Sequence, residues 1–277
     1  MKETTATSGR TVNARLRRVE GRYNAQVKDL RRAFARGELT EDGYCAIEGF
    51  RILDEAIRSG LRFRAVFFSE SAAARAEKLL SQLGAQVETL LLPDKLFAGV
   101  VPSDAPQGVA ALARWKEFSL EDVLAKSNAG PLLAIAGVQD PGNLGTILRS
   151  AEAFGAAGVL LGEGTVSAFN PKVVRSSAGS VFRLPMARAK LSEAIGGMKA
   201  FGIRLVATAS HKGKALDQSN LAGPLAIFVG SEGAGLSREL IKLMDEVAAI
   251  PQAPQVESLN VAVATSIVLY EVARQRK

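Results

Sequence analysis

Residues 131–154 read PLLAIAGVQDPGNLGTILRSAEAF. The first eight form a continuous apolar run, which is what a strand buried on both faces requires. Asp140, Pro141 and Gly142 make a tight turn, and Asn143 is a natural helix N-cap. Leu144, Ile147, Leu148, Ala151 and Phe154 then recur at helical spacing. The same texture continues downstream. Apolar runs at 158–162 (GVLLG), 203–209 (IRLVATA), 224–230 (PLAIFVG) and 246–251 (EVAAIP) flank helical segments at 143–154, 191–200 and 237–244. A last helix covers 259–274. Strands alternating with helices predict an α/β fold with a parallel sheet covered on both sides.

Upstream the pattern is shorter and more polar. A basic helix over about 13–36 is followed by the turn RGELTEDG. A helix over 48–59, a strand over 64–69, a helix over 71–83 and strands over 85–92 and 108–113 complete a smaller α/β unit. Residues 115–130 mix charge with a breaker and read as a linker. The expected organisation is therefore a basic arm or helix (1–36), a small domain (37–114), the linker, and a larger domain (131–277), as suits a 277-residue chain.

The chain has 35 Lys and Arg against 28 Asp and Glu, a net charge of +7. Residues 1–36 hold ten of the former and three of the latter, so the whole excess lies there. Arg15, Arg17, Arg18, Arg22, Lys28, Arg31, Arg32 and Arg36 supply most of it. Such an arm suits a polyanion, because each phosphate contact releases counterions; a solvated helix face is the alternative. No run approaches the roughly 18 apolar residues needed to span a bilayer, and the N-terminus lacks the apolar core of a secretory signal. A cytoplasmic protein without a membrane partner is expected. Cys45 is the only cysteine, which excludes an internal disulfide and a CxxC zinc site, and no metal is expected. His211 is the only histidine; it sits in a polar HKGK stretch and reads as a solvated loop residue rather than a triad member.

In a parallel sheet, ligands bind at the carboxyl ends of the strands, and three such ends carry unusual loops. The first contains Asn143, with Arg149 in the second turn of the helix as either a solvated edge residue or an anion contact. The second, FVGSEGAGLS at 228–237, has three glycines in six positions, which let backbone approach a ligand closely. It lacks the G-x-G-x-x-G order, and no P-loop occurs anywhere. Glu232 is unneeded by a simple turn. In the third, residues 250–271, two prolines keep the chain extended, and Ser258 and Asn260 precede the last helix as caps or as site groups.

DPGNLGTILRSAEAFGA, NPKVVRSSAGSVFRLP at 170–185, VGSEGAGLS and IPQAPQVESLNVAVATSIVLYE occur in this order. Together they resemble the three motifs of the SpoU (TrmH) family of RNA ribose 2′-O-methyltransferases, over residues 131–277. AIEGFRILDEAIRSG followed by FRAVFFSES resembles the small substrate-binding (RNA-binding) domain that often precedes that catalytic domain. The resemblance implies a deep C-terminal trefoil knot, S-adenosyl-L-methionine as methyl donor, and a homodimer packed partly through the C-terminal helix. It assigns Asn143 and Arg149 to the catalytic pair, and Glu232, Ser258 and Asn260 to the other polar site residues. Thr208, Gly230, Ile250 and Leu259 would contact the donor. Ser231 stands where many members carry Asn. The implied function is 2′-O-methylation of RNA, with ribosomal RNA expected ahead of tRNA; a non-catalytic RNA-binding protein that keeps the fold is the reading from another class.

Overall fold

A computed structural model describes residues 15–276. The chain divides into two compact units, one running to Trp115 and including Ala168–Phe182, the other comprising Lys116–Ser167 and the chain from Arg183 onward.

The first unit contains β1 (Arg17–Arg18), α1 (Ala25–Arg36), β2 (Tyr44–Glu48), α2 (Phe50–Arg58), β3 (Phe63–Ser69), α3 (Ala73–Leu80), β4 (Glu88–Leu92), α4 (Asp94–Ala98) and β5 (Val109–Arg114). Its sheet runs β1-β4-β3-β5-β2. The first three lie parallel, and β5 is antiparallel to both its neighbours. Val27, Leu30, Ala33 and Phe34 of α1 pack with Phe67, Leu90 and Leu112 in its core.

The helix expected over about 13–36 is therefore not continuous, and its residues up to 14 lie outside the described ones. Leu16 and Val19 are buried on either side of exposed Arg17 and Arg18, so this stretch pairs with β4 instead of coiling. The helix starts only where Asn24 accepts from the backbone N–H groups of Gln26 and Val27.

The second unit contains α5 (Leu120–Leu124), β6 (Leu132–Ile135), α6 (Pro141–Ala153) and β7 (Gly158–Leu161). The chain then supplies α7 (Pro171–Ser176) to the first unit. It returns with β8 (Met186–Arg188), α8 (Leu191–Ala200), β9 (Arg204–Ala209), β10 (Lys214–Ala215), β11 (Leu225–Val229), α9 (Arg238–Ile241), β12 (Glu246–Ala249) and α10 (Val261–Gln275). All seven strands of this sheet are parallel, in the order β10-β12-β9-β11-β6-β7-β8. β6 and β11 are buried at every position, as a sheet covered on both faces demands. From β6 the chain steps outward through β7 and β8. It then returns to the other side, where β11 inserts between β6 and β9. The loops after β6 and β11 thus leave the sheet at a topological switch point, where α/β sheets open a crevice. Among the described residues, no helix is long and apolar enough to cross a membrane.

Residues 168–182 belong to the first unit although they follow β7. Phe169 packs edge-to-face on Trp115 with ring centroids 4.6 Å apart, and Arg175 approaches the buried Glu48 carboxylate at 3.7 Å. Burial is the larger influence on Glu48 and raises its pKa, with Arg175 and the Gln107 backbone opposing.

Candidate active site

The helix after β6 is capped one turn earlier than expected. Asp140 is the N-cap, accepting from the Asn143 backbone N–H at 2.8 Å, and Pro141 occupies the first helical turn, where its fixed φ suits the helix and its missing N–H costs nothing. Asn143 therefore keeps its side chain free. Its Nδ2 donates to Glu232 Oε1 at 3.1 Å.

The second loop is closed by reciprocal backbone bonds between Ser231 and Gly235, 3.2 and 3.1 Å. A Cβ on Gly230 would overlap the backbone of Gly235 and Leu236. The close approach that this glycine allows is thus made by the loop itself. Glu232, at the loop's tip, also accepts from the backbone N–H groups of Gln139 and Asp140, at 3.3 and 3.2 Å.

The third loop completes the chain of bonds. Asn260 caps α10, its Oδ1 accepting from Ala262 and Val263. With that oxygen engaged, its amide nitrogen is left to donate, and it does so to Asn143 Oδ1 at 3.0 Å. The order Asn260 to Asn143 to Glu232 is thereby directional: each amide is fixed in orientation by its neighbour. Asn260 thus caps α10 and also bonds across to the first loop. Partial burial pushes the Glu232 carboxyl up, but the bonds from Asn143, the loop's own backbone, Asp140 and Gln139 outweigh it, so its pKa lies below the ordinary carboxylate range. An anion held this firmly is a weak proton acceptor.

Beside this chain lies a cleft of about 500 Å3, within the range of small-molecule sites. Thr208, Gly230, Glu232, Ile250, Ser258 and Leu259 all line it. Thr208 Oγ1 donates to the Phe228 carbonyl at 3.0 Å, tying two strand ends together. His211, exposed in its loop as expected, also lines the cleft. Its Nε2 donates to the Glu257 carbonyl at 2.6 Å, which joins the loop after β9 to the third loop. Gln252, on the same wall, was not anticipated. Its Nε2 donates to the Ser210 carbonyl at 2.9 Å, while its Oε1 is buried without a partner.

Arg149 stands apart. It is exposed on α6, six residues beyond Asn143 and so about 9 Å further along the axis. It does not line the cleft, and among the described residues it has no ion-pair partner. No group of three or more His, Cys, Asp or Glu side chains gathers to hold a metal among the described residues.

The basic residues divide into two sets. Arg15 donates to the carbonyls of Leu80, Leu83 and Gly84. Arg17 pairs with Glu88 at 2.8 Å, and Arg18 with Glu20 and Glu70 at 3.2 and 2.6 Å. These three are engaged in holding the first unit. Arg22, Lys28, Arg31, Arg32 and Arg36 have no carboxylate partner among the described residues.

The SpoU rRNA Methylase family model matches residues 131–270, and an MRM3-like substrate binding domain matches residues 24–111. The chain is 33% identical to the 23S rRNA (guanosine(2553)-2′-O)-methyltransferase RlmP of Bacillus subtilis, over 93% of this chain and 99% of that protein. It is similar to an AdoMet-bound rRNA methyltransferase from Sinorhizobium meliloti, with a TM-score of 0.82 and 30% identity over 94% of this chain and 98% of that one. It also resembles the SpoU methyltransferase AviRb from Streptomyces viridochromogenes, with a TM-score of 0.77 and 29% identity over 91% and 98% of the two chains.

Proposed function

Because this chain belongs to the SpoU rRNA methylase family, we propose that it methylates a ribose 2′-hydroxyl of ribosomal RNA with S-adenosylmethionine as donor. The observation that carries this reading is the bond chain Asn260–Asn143–Glu232, which joins all three loops beside the cleft. The cleft suits the donor in size. The unpartnered Gln252 Oε1 offers an acceptor for an amino group, and Thr208, Gly230, Ile250 and Leu259 complete the wall that would hold it.

The donor supplies a methyl carbon on a sulfonium, whose thioether leaves neutral and needs no acid. The residues must therefore sharpen the nucleophile. Asn143 and Ser258 orient the hydroxyl by hydrogen bonds, and alignment with the methyl carbon supplies much of the rate. Glu232 is a positioning residue that holds the Asn143 amide. A guanidinium does not readily give up its proton, so Arg149 is not assigned the part of a base. It binds the adjacent phosphate and stabilises the developing alkoxide, a role supported by its unpaired, exposed charge. His211 spends its Nε2 proton on Glu257.

The same reading includes a homodimer. Val263, Ile267 and Tyr270 are 49%, 37% and 56% exposed along one face of α10, an apolar stripe at i, i+4 and i+7 that association would cover. It also includes a C-terminal knot, consistent with the tight packing at Gly230, and action in the cytoplasm, where ribosomal RNA is met. The basic arm and the small domain contact the RNA. The test is incubation with RNA and methyl-labelled donor, with nuclease mapping of the product. A single labelled ribose in ribosomal RNA is expected; label on a base, or none, would overturn the proposal.

A further inference from the structure

Tyr23 has no part in the chemistry above, yet it is 71% exposed, the most accessible of the large apolar side chains among the described residues. It lies in the turn between β1 and α1, just before the Asn24 cap. Arg22 Nη2 donates to its hydroxyl at 3.1 Å. The Arg22 guanidinium carbon is 5.2 Å from the ring centroid and Lys28 Nζ is 5.6 Å from it. Both cations lie over the ring at cation–π distance, and the ring remains largely exposed to solvent all the same. Arg31, Arg32 and Arg36 continue from Lys28 at spacings of three, four and eight residues, which keep them on one side of α1.

We propose that Tyr23, between Arg22 and Lys28, is a stacking platform for an unpaired nucleobase of the RNA substrate. The inference rests on the reading of this protein as an RNA enzyme and adds where the RNA is gripped. An exposed ring accepts any base, because every base has a π face. An incoming base takes the place of the two mobile cations over the ring, and they move to the phosphates on either side of the stacked nucleotide. A duplex, its bases already stacked, cannot use such a platform. The site therefore selects single-stranded loops or bulges. The three cations beyond it, Arg31, Arg32 and Arg36, give the strand a path along α1.

The test uses the full chain and two probes: a fluorescein-labelled ten-nucleotide oligo(A) carrying a central 2-aminopurine, and a ten-base-pair RNA duplex. Tyr23→Ala is expected to weaken oligo(A) binding at least about fivefold, the lower end of one lost stacking contact. Duplex affinity and the thermal midpoint should be unchanged, and so should the salt dependence, since no charge is removed. Tyr23→Phe and Tyr23→Trp should restore affinity and the quenching of 2-aminopurine. Arg22→Ala should instead flatten the salt dependence. Equal affinity of Tyr23→Ala and wild type, an equal loss on the duplex, or failure of Tyr23→Phe to restore binding would each overturn the platform. The function proposed above would survive any of these. A wild-type chain that binds neither probe nor ribosomal RNA would overturn both.

Discussion

Asn143→Asp replaces one atom and inverts the chemistry of the site. The Asn143 amide donates to Glu232 at 3.1 Å; a carboxylate there faces a second carboxylate. At that separation the repulsion is about 1.3 kcal/mol in a water-like dielectric and about 5 kcal/mol at an effective value of 20. The site is open to solvent, so the lower figure is the relevant one. Losing a hydrogen bond to a charged acceptor adds about 1.5 kcal/mol or more. Together these come to about 3 kcal/mol, a hundredfold in an equilibrium constant. If the donor binds only when the three loops are joined, its affinity falls by up to that factor. The sign of the pH dependence follows from the pair. Glu232 titrates below the usual range in the parent, so its contribution is present at neutral pH and is lost only as pH falls through that lowered pKa. In Asn143→Asp the first proton taken up by the pair binds above the usual range. It restores an O–H donor to Glu232. Donor affinity in the variant should therefore recover as pH falls from 7.5 towards 5, while Asn143→Ala stays weak throughout. Calorimetric titration with S-adenosylmethionine across that range measures this. An unchanged affinity at pH 7.5, or a loss that acid does not relieve, would refute the argument that this bond joins the loops.

Arg149→Ala should lose at least about 100-fold in methyl transfer, the scale of one removed preorganised donor, with donor affinity unchanged because Arg149 does not line the cleft; single-turnover rates beside calorimetry separate the two. Gly230→Val should abolish donor binding, and a Cβ there meets loop backbone, so a drop in thermal midpoint should accompany the loss. Ile267→Glu places a charge in the exposed stripe of α10 and should convert a dimer to a monomer in light scattering without unfolding the chain.

The parallel sheet is legible because its central strands β6 and β11 are apolar at every position. β8, three residues ending in an exposed arginine, has no such mark. β2 falls between the turn RGELTEDG and the helix read from residue 48, and it escapes notice because its five residues include Tyr44 and Glu48 rather than a clean apolar run. The cap misplaced on Asn143 had a readable signal, since Asp140 followed by Pro141 is a cap and first-turn pair. Asn143, Glu232 and Asn260 were identified from motif, but their mutual bonds span about ninety to 117 residues of sequence and leave no local trace. Gln252 is distinguished only by an oxygen that finds no partner once the chain is folded. The charge excess marks the first 36 positions but not which of their cations are spent on carboxylates, because Glu70 and Glu88 arrive from elsewhere in the first unit.

The assignment of Ala168–Phe182 to the first unit bears on how the protein is made. Chains emerge from the ribosome N-terminus first, and domains generally fold as units during synthesis. Here the first unit is still incomplete when its last strand, β5, has been translated. The groups that await Phe169, Arg175 and Gly179, namely Trp115, Glu48 and the side chain of Glu55, remain uncovered until some 65 further residues have been added. By then β6, α6 and β7 of the other unit have already been translated. The first unit therefore cannot complete these contacts before part of the second has been made. A released chain truncated at residue 130 would expose the carboxylate of Glu48 without its guanidinium and the face of Trp115 without its ring partner.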